Sequence, residues 1–194
     1  MAPPVSASSL LLTPGAGAAA DHHTLVAVES AVRARTAVAV SVRVDFPYRL
    51  AGKKAPDKAP VAIAHLRAEA ETLVTAAGVA PGGLVLGGRS YGGRMCSMAV
   101  AEGLPAAGLV LLSYPLHPPG KPEKLRTEHF GDITVPVLFV SGDKDPFGKP
   151  DEFAEHIAAI PGPVTQVWLK GGHDPRNADD AIADAVVDWL AGLR

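Results

Sequence analysis

The sequence predicts an α/β protein of three layers: a mostly parallel sheet of about six strands, helices on both faces, and no cap domain. Three observations carry that prediction. Short apolar, β-branched runs alternate with amphipathic helical patterns almost from end to end. Several runs, such as Leu109-Val110-Leu111-Leu112 and Val137-Leu138-Phe139-Val140, are continuously apolar, as strands covered on both faces must be. The segment where an inserted cap would need room is short and rich in proline.

Taken in order, the first strand falls on Val5–Thr13 and is followed by Pro14-Gly15-Ala16-Gly17. The second falls on Ala37–Asp45. A proline-bearing stretch, from Phe46-Pro47-Tyr48 to Pro56-Asp57-Lys58, joins it to a helix. That helix is marked by Ile63, Leu66, Ala70, Leu73, Val74 and Ala77 at helical spacing. The third strand, Gly83–Arg89, runs straight into Ser90, and the fourth falls on Ala107–Ser113. Between Tyr114 and Asp132, Pro115, Pro118, Pro119 and Pro122 exclude a long helix, so a loop is expected. Strands over Val135–Ser141 and Val164–Lys170 follow. A last helix is marked by Ile182, Ala185, Val186, Trp189 and Leu190. Strand–helix alternation implies right-handed crossovers in a parallel sheet. There is no internal repeat and no second core, so residues 1–194 read as a single domain.

Composition narrows the function classes. A net charge of -2 offers no basic field for nucleic acid and no polybasic membrane patch. With Cys96 alone no internal disulfide can form, and a reducing cytoplasm is the simplest location. Leu10-Leu11-Leu12 before Ala18-Ala19-Ala20 imitates a signal peptide. However, no Lys or Arg precedes Arg33, and the apolar run is short. No apolar run is long enough to span a bilayer. The expectation is a cytoplasmic protein acting on a small molecule, without nucleic-acid or membrane partners. Its oligomeric state is not legible.

In an open parallel sheet, ligands bind beyond the carboxyl ends of the strands. The residues after each strand therefore form one cluster. Gly88-Arg89-Ser90-Tyr91-Gly92 is G-x-S-x-G between a strand and a helix, the pattern of a nucleophile elbow. Serine needs a base, and the base needs an orienting acid. His173 follows Gly171-Gly172 after the last strand, and Asp143 and Asp145 follow the fifth. The Gly-x-x-Asp setting favours Asp145, with Asp143 left to stabilise the turn. The order Ser, Asp, His is that of α/β-hydrolases rather than of chymotrypsin or subtilisin. Oxyanion donors are expected from the Tyr91 N–H, at the helix start, and from the Ala16 N–H in the loop after the first strand.

Plainer roles compete at each position. Ser90 could cap the following helix, although a cap does not require flanking glycines. His173 could be an ordinary loop histidine. PGAGAAAD could bind phosphate, but it lacks G-x-G-x-x-G and its later acidic partner. Cys96, beside Met95 and Met98, reads as a core thiol. His22 and His23, adjacent on a helix, would point different ways and make no metal site. His65, His129 and His156 are scattered, so no metal site is expected. Tyr48, Tyr114 and His117 are either substrate-pocket walls or loop packing.

GGRSYGGRM, TPGAG, GDKDPFG and GGHD together resemble a small member of the α/β-hydrolase superfamily over nearly the whole chain. More narrowly, DFPYRLAGKKAPDK and YPLHPPGKPEKLRTEH resemble a family of minimal, capless proteins related to dienelactone hydrolases. That family includes a histone-acetyltransferase-complex subunit and a testis-expressed protein. The resemblance implies an α/β sandwich with Ser90, Asp145 and His173 as its triad, in a family whose substrates are mostly undefined. The leading expectation is a serine hydrolase cleaving a small carboxylic ester through an acyl-enzyme, without a cofactor; acyl transfer, or a non-catalytic binding or scaffold role, are the alternatives. Two departures matter. Pro14 stands where His commonly precedes the loop glycine, and serine replaces the cysteine of dienelactone hydrolases, so lactone specificity does not carry over.

Overall fold

The computed structural model describes residues 7–193. Six parallel strands form one sheet: β1 Ser9–Thr13, β2 Val40–Arg43, β3 Leu84–Arg89, β4 Gly108–Leu112, β5 Val137–Gly142 and β6 Val164–Leu169. Their spatial order is β2-β1-β3-β4-β5-β6. The helices are α1 His23–Arg35, α2 Pro47–Leu50, α3 Ala59–Ala77, α4 Tyr91–Ala101, α5 Pro150–His156 and α6 Asp179–Gly192.

The two faces are covered as the apolar runs require. Leu10, Leu12, Val85, Val110 and Leu138 pack with α1 and α6 through Leu25, Val28, Val32, Ile182 and Val186. Leu11, Leu86, Leu111 and Phe139 alternate to the other face. There they meet Ile63, Leu66 and Leu73 of α3, Met95 and Cys96 of α4, and Phe153 of α5. Burial on both sides makes β1 and β4 entirely buried, whereas the edge strand β2 is half-buried along its length.

The strands are shorter at their ends than the apolar runs suggest, because the flanking residues are used elsewhere. Gly83 closes a 3₁₀ turn, and Asp45 leaves the sheet to accept the Ala20 N–H at 2.9 Å. Val5 and Ser6 of the first expected strand lie outside the described residues. The proline-bearing stretch after β2 contains the four-residue helix α2, with Pro47 in its first turn. After β4, the chain to β5 is a loop with one 3₁₀ turn at Phe130–Asp132, and no helical lid interrupts it.

The topology prepares a site. From β1 the chain moves to β2 on one side, then crosses back to β3 on the other. The loops at the carboxyl ends of β1 and β3 therefore diverge around a crevice, the usual ligand position in such sheets.

Candidate active site

Ser90 has φ 51 and ψ -115, a backbone conformation costly for a side chain, immediately between β3 and α4. The motif glycines are explained by space. A Cβ on Gly92 would lie 2.5 Å from the Pro14 carbonyl oxygen, and one on Gly88 would lie 2.7 Å from the Gly93 nitrogen. Only glycine lets the start of α4 pack this close to the end of β1.

Three expected residues meet here. His173 Nε2 is 2.8 Å from Ser90 Oγ, and His173 Nδ1 is 2.8 Å from Asp145 Oδ2. Asp145 is 1% exposed, and its Oδ1 accepts the Phe147 N–H at 2.9 Å. An ionised carboxylate only accepts, so Nδ1 carries the ring proton and Nε2 presents its lone pair to the serine hydroxyl. Asp143 instead accepts the Gly171 N–H at 3.0 Å, tying the β5 turn to the loop that carries His173.

The loop after β1 is held from several sides. Tyr48 donates its hydroxyl to the Ala16 carbonyl at 2.7 Å, Arg43 Nη1 donates to the Ala20 carbonyl at 2.6 Å, and Arg43 Nε pairs with Glu29 at 2.7 Å. Among the described residues the Ala16 N–H has no hydrogen-bond acceptor. Tyr91, first residue of α4, has no acceptor within its helix either. Tyr91 directly follows Ser90 in the chain, and Ala16 lines the same cavity as Ser90.

A cavity of about 410 Å³ opens over these groups, lined by Gly15–Ala18, His22, Arg89, Ser90, Phe147 and His173. A larger groove, about 850 Å³, runs between β6 and α6 and contains none of Ser90, Asp145 and His173. Chemistry, not size, selects the smaller one.

The expected pocket walls lie elsewhere. Tyr48, Tyr114 and His117 are 1%, 0% and 5% exposed, and none lines the cavity. The Tyr114 ring packs on Phe130 and Phe139 while its hydroxyl donates to the Arg126 carbonyl, and burial raises its pKa. His117 is engaged by the Pro118 carbonyl and Glu152. Tyr48 and Tyr114 belong to the apolar core under α3 and α4 rather than to the cavity. The residues that line the cavity instead are Phe147, whose ring is tilted 32° against that of His173 with centroids 4.1 Å apart, and Arg89 and His22. Phe147, two residues beyond the acid, carries no periodic signal in the sequence.

Two other sequence expectations meet different outcomes. Cys96 is fully buried in the core, and burial pushes its thiol pKa up to about 12. His22 and His23 do not diverge: His22 caps α1 from outside the helix, and the two rings stack at 4.3 Å. With Asp174 they bring three ligand-type atoms within 4.8 Å of one another. The tautomer opposes a cation, however. His22 Nδ1 accepts the Thr24 N–H at 3.3 Å, so Nε2 of the neutral ring bears the proton. Asp174 is already paired with Arg89 at 2.9 Å.

Comparison with known proteins bears on the family and the fold. Residues 6–189 match the family model described as an alpha/beta hydrolase domain. The structure resembles Est1E from Butyrivibrio proteoclasticus, solved with ferulic acid, at TM-score 0.78 and 16% identity over 98% of this chain and 90% of that one. It also resembles esterase PE8 (TM-score 0.67, 18% identity, 100% and 97% covered). A third likeness is to the type II thioesterase BorB from the borrelidin biosynthetic cluster (TM-score 0.65, 19% identity, 95% and 93% covered).

Proposed function

The chain belongs to the alpha/beta hydrolase domain family, and from that premise we propose that it is a serine hydrolase cleaving small carboxylic esters or related acyl bonds. The observation that supports this most is the unbroken relay from Ser90 Oγ through His173 to Asp145, both links 2.8 Å long.

In this reading Ser90 attacks the acyl carbonyl while His173 Nε2 takes its proton, and Asp145 holds the resulting imidazolium. The Ala16 and Tyr91 N–H groups receive the negative charge that develops on the carbonyl oxygen. His173 returns the proton to the leaving group, which departs and leaves an acyl-Ser90 intermediate. Water, activated by the same histidine, then hydrolyses it. The chain works as a single domain in the cytoplasm on a small acyl substrate. Its finer kinship with the capless, dienelactone-hydrolase-related proteins rests on the loop segments quoted above.

Fluorophosphonate labelling tests the mechanism. Wild type is expected to label and Ser90→Ala is not, with ester turnover in the variant reduced at least several hundred-fold. A folded wild-type protein that neither labels nor turns over any ester would favour the scaffold alternative. Labelling that survives in Ser90→Ala would move the nucleophile elsewhere.

A further inference from the structure

One wall of the cavity does more than enclose it. Arg89 occupies the variable position before the nucleophile, and its side chain is 12% exposed. Nη2 is committed: it donates to the His173 carbonyl at 2.9 Å and pairs with Asp174 at 2.9 Å. Nη1 makes no hydrogen bond among the described residues. It lies against Gly15, where an added Cβ would come within 3.4 Å of it. Gly15 directly precedes Ala16, the expected oxyanion donor, and both line the cavity with Arg89.

His22 stands on the same wall. Its Nδ1 is used at the start of α1, so Nε2 is a donor, 4.0 Å from Asp174 Oδ1. Burial and the neighbouring guanidinium both lower its pKa, which keeps the ring neutral near pH 7. The negative groups nearby are already engaged. Asp174 pairs with Arg89 at the half-exposed rim, and Asp145 is buried behind His173. The other residues lining the cavity, Phe147 and the small residues Gly15–Ala18, offer no competing side-chain acceptor.

We propose that Arg89 Nη1 and His22 Nε2 form an anion subsite, so that the preferred substrates are short acyl esters bearing a carboxylate a few bonds from the scissile carbonyl. The planar guanidinium suits a carboxylate, and a partly buried, charge-assisted hydrogen bond discriminates strongly against an apolar terminus of similar size. A substrate carboxylate placed here sits one residue from the oxyanion donor, which limits the spacer to a short chain. The inference rests on the hydrolase reading above, and the test separates the two.

Monoethyl succinate and ethyl valerate, followed by acid release in a pH-stat, differ chiefly in the terminal carboxylate. Wild type should favour monoethyl succinate at least tenfold in kcat/KM. Because Arg89 also braces the His173 loop, Arg89→Met will slow both esters, and the informative quantity is their ratio. It should collapse toward one in Arg89→Met, persist in part in Arg89→Lys, and fall severalfold in His22→Phe. A wild-type ratio of one or less, or a ratio unchanged in Arg89→Met, overturns the subsite while leaving the hydrolase reading intact. Calorimetric titration of succinate into Ser90→Ala protein needs no turnover. Binding that disappears in Ser90→Ala/Arg89→Met supports the subsite even if no ester is cleaved, and absence of binding, or binding indifferent to Arg89, refutes it.

Discussion

Replacing Tyr48 by Phe separates two accounts of this residue. The structure makes Tyr48 a brace for the loop after β1: its hydroxyl is 2.7 Å from the Ala16 carbonyl, and its ring is 1% exposed beside Phe46 and Tyr91. Phenylalanine keeps the ring contacts and removes only the hydrogen bond. Ala16 is half-buried, so water can partly replace the lost donor. The expected destabilisation is therefore about 1 kcal/mol, at the lower end for a broken hydrogen bond. In a chain of this size that lowers Tm by about 2–4 °C. The catalytic effect should be larger in proportion. Deleting an oxyanion donor outright costs roughly 10²–10³ in kcat. Here the Ala16 N–H remains but is less firmly aimed, so a loss of about tenfold to thirtyfold is expected. A donor acting on developing charge stabilises the transition state and not the bound ester, so KM should stay within about twofold. Steady-state kinetics on p-nitrophenyl acetate, beside urea denaturation, measure both quantities. A raised KM at constant kcat would restore Tyr48 to the pocket wall that the sequence suggested. Unchanged kinetics with the stability loss would remove the Ala16 N–H from the oxyanion site.

Three further outcomes can be measured. Asp145→Asn should lower kcat by about 10³–10⁴-fold, because His173 loses its orienting carboxylate, whereas Asp143→Asn should cost far less; the reverse order would reassign the acid. With no helical lid over a cavity of about 410 Å³, long acyl chains gain little burial, and each methylene left in water forfeits about 0.8 kcal/mol. Acetate or butyrate p-nitrophenyl esters should then exceed laurate in kcat/KM, and a long-chain optimum would contradict this. Finally, His129 is 9% exposed with Nδ1 unpartnered, and burial lowers its pKa from 6.5 to about 4. Unfolding therefore takes up a proton below pH 6.5, so this stability is intact above that value and is lost as pH falls toward 4. Between pH 7 and pH 5 the loss attributable to His129 is about 2 kcal/mol. Urea denaturation of wild type should show it and His129→Gln should lack it; equal pH slopes would place the ring in a different protonation state.

The sequence by itself determined the layering and the succession of strands and helices along the chain, because those follow from local patterns. Continuously apolar runs such as Leu109–Leu112 have no polar face to offer water, and the helical spacing of Ile63, Leu66, Ala70 and Leu73 has only one apolar stripe to bury. It also located Ser90, Asp145 and His173. A strand-to-helix turn needs glycines wherever backbones approach within contact, and parallel strands deliver their following residues to one edge of the sheet. Only the tertiary structure decided what surrounds them. Tyr48 and Ala16 are 32 residues apart, His173 and Arg89 are 84 apart, and neither pairing leaves any periodic trace in the chain. Whether a loop tyrosine faces the ligand or the core depends on which apolar surface lies uncovered beneath it. For Tyr114 that surface is Phe130 and Phe139, which only the folded sheet assembles. The expected divergence of His22 and His23 fails for the same reason: helical spacing applies within α1, and His22 stands just outside it, where its ring accepts the Thr24 N–H. Local chemistry marks the candidate groups, while non-local packing chooses the walls around them.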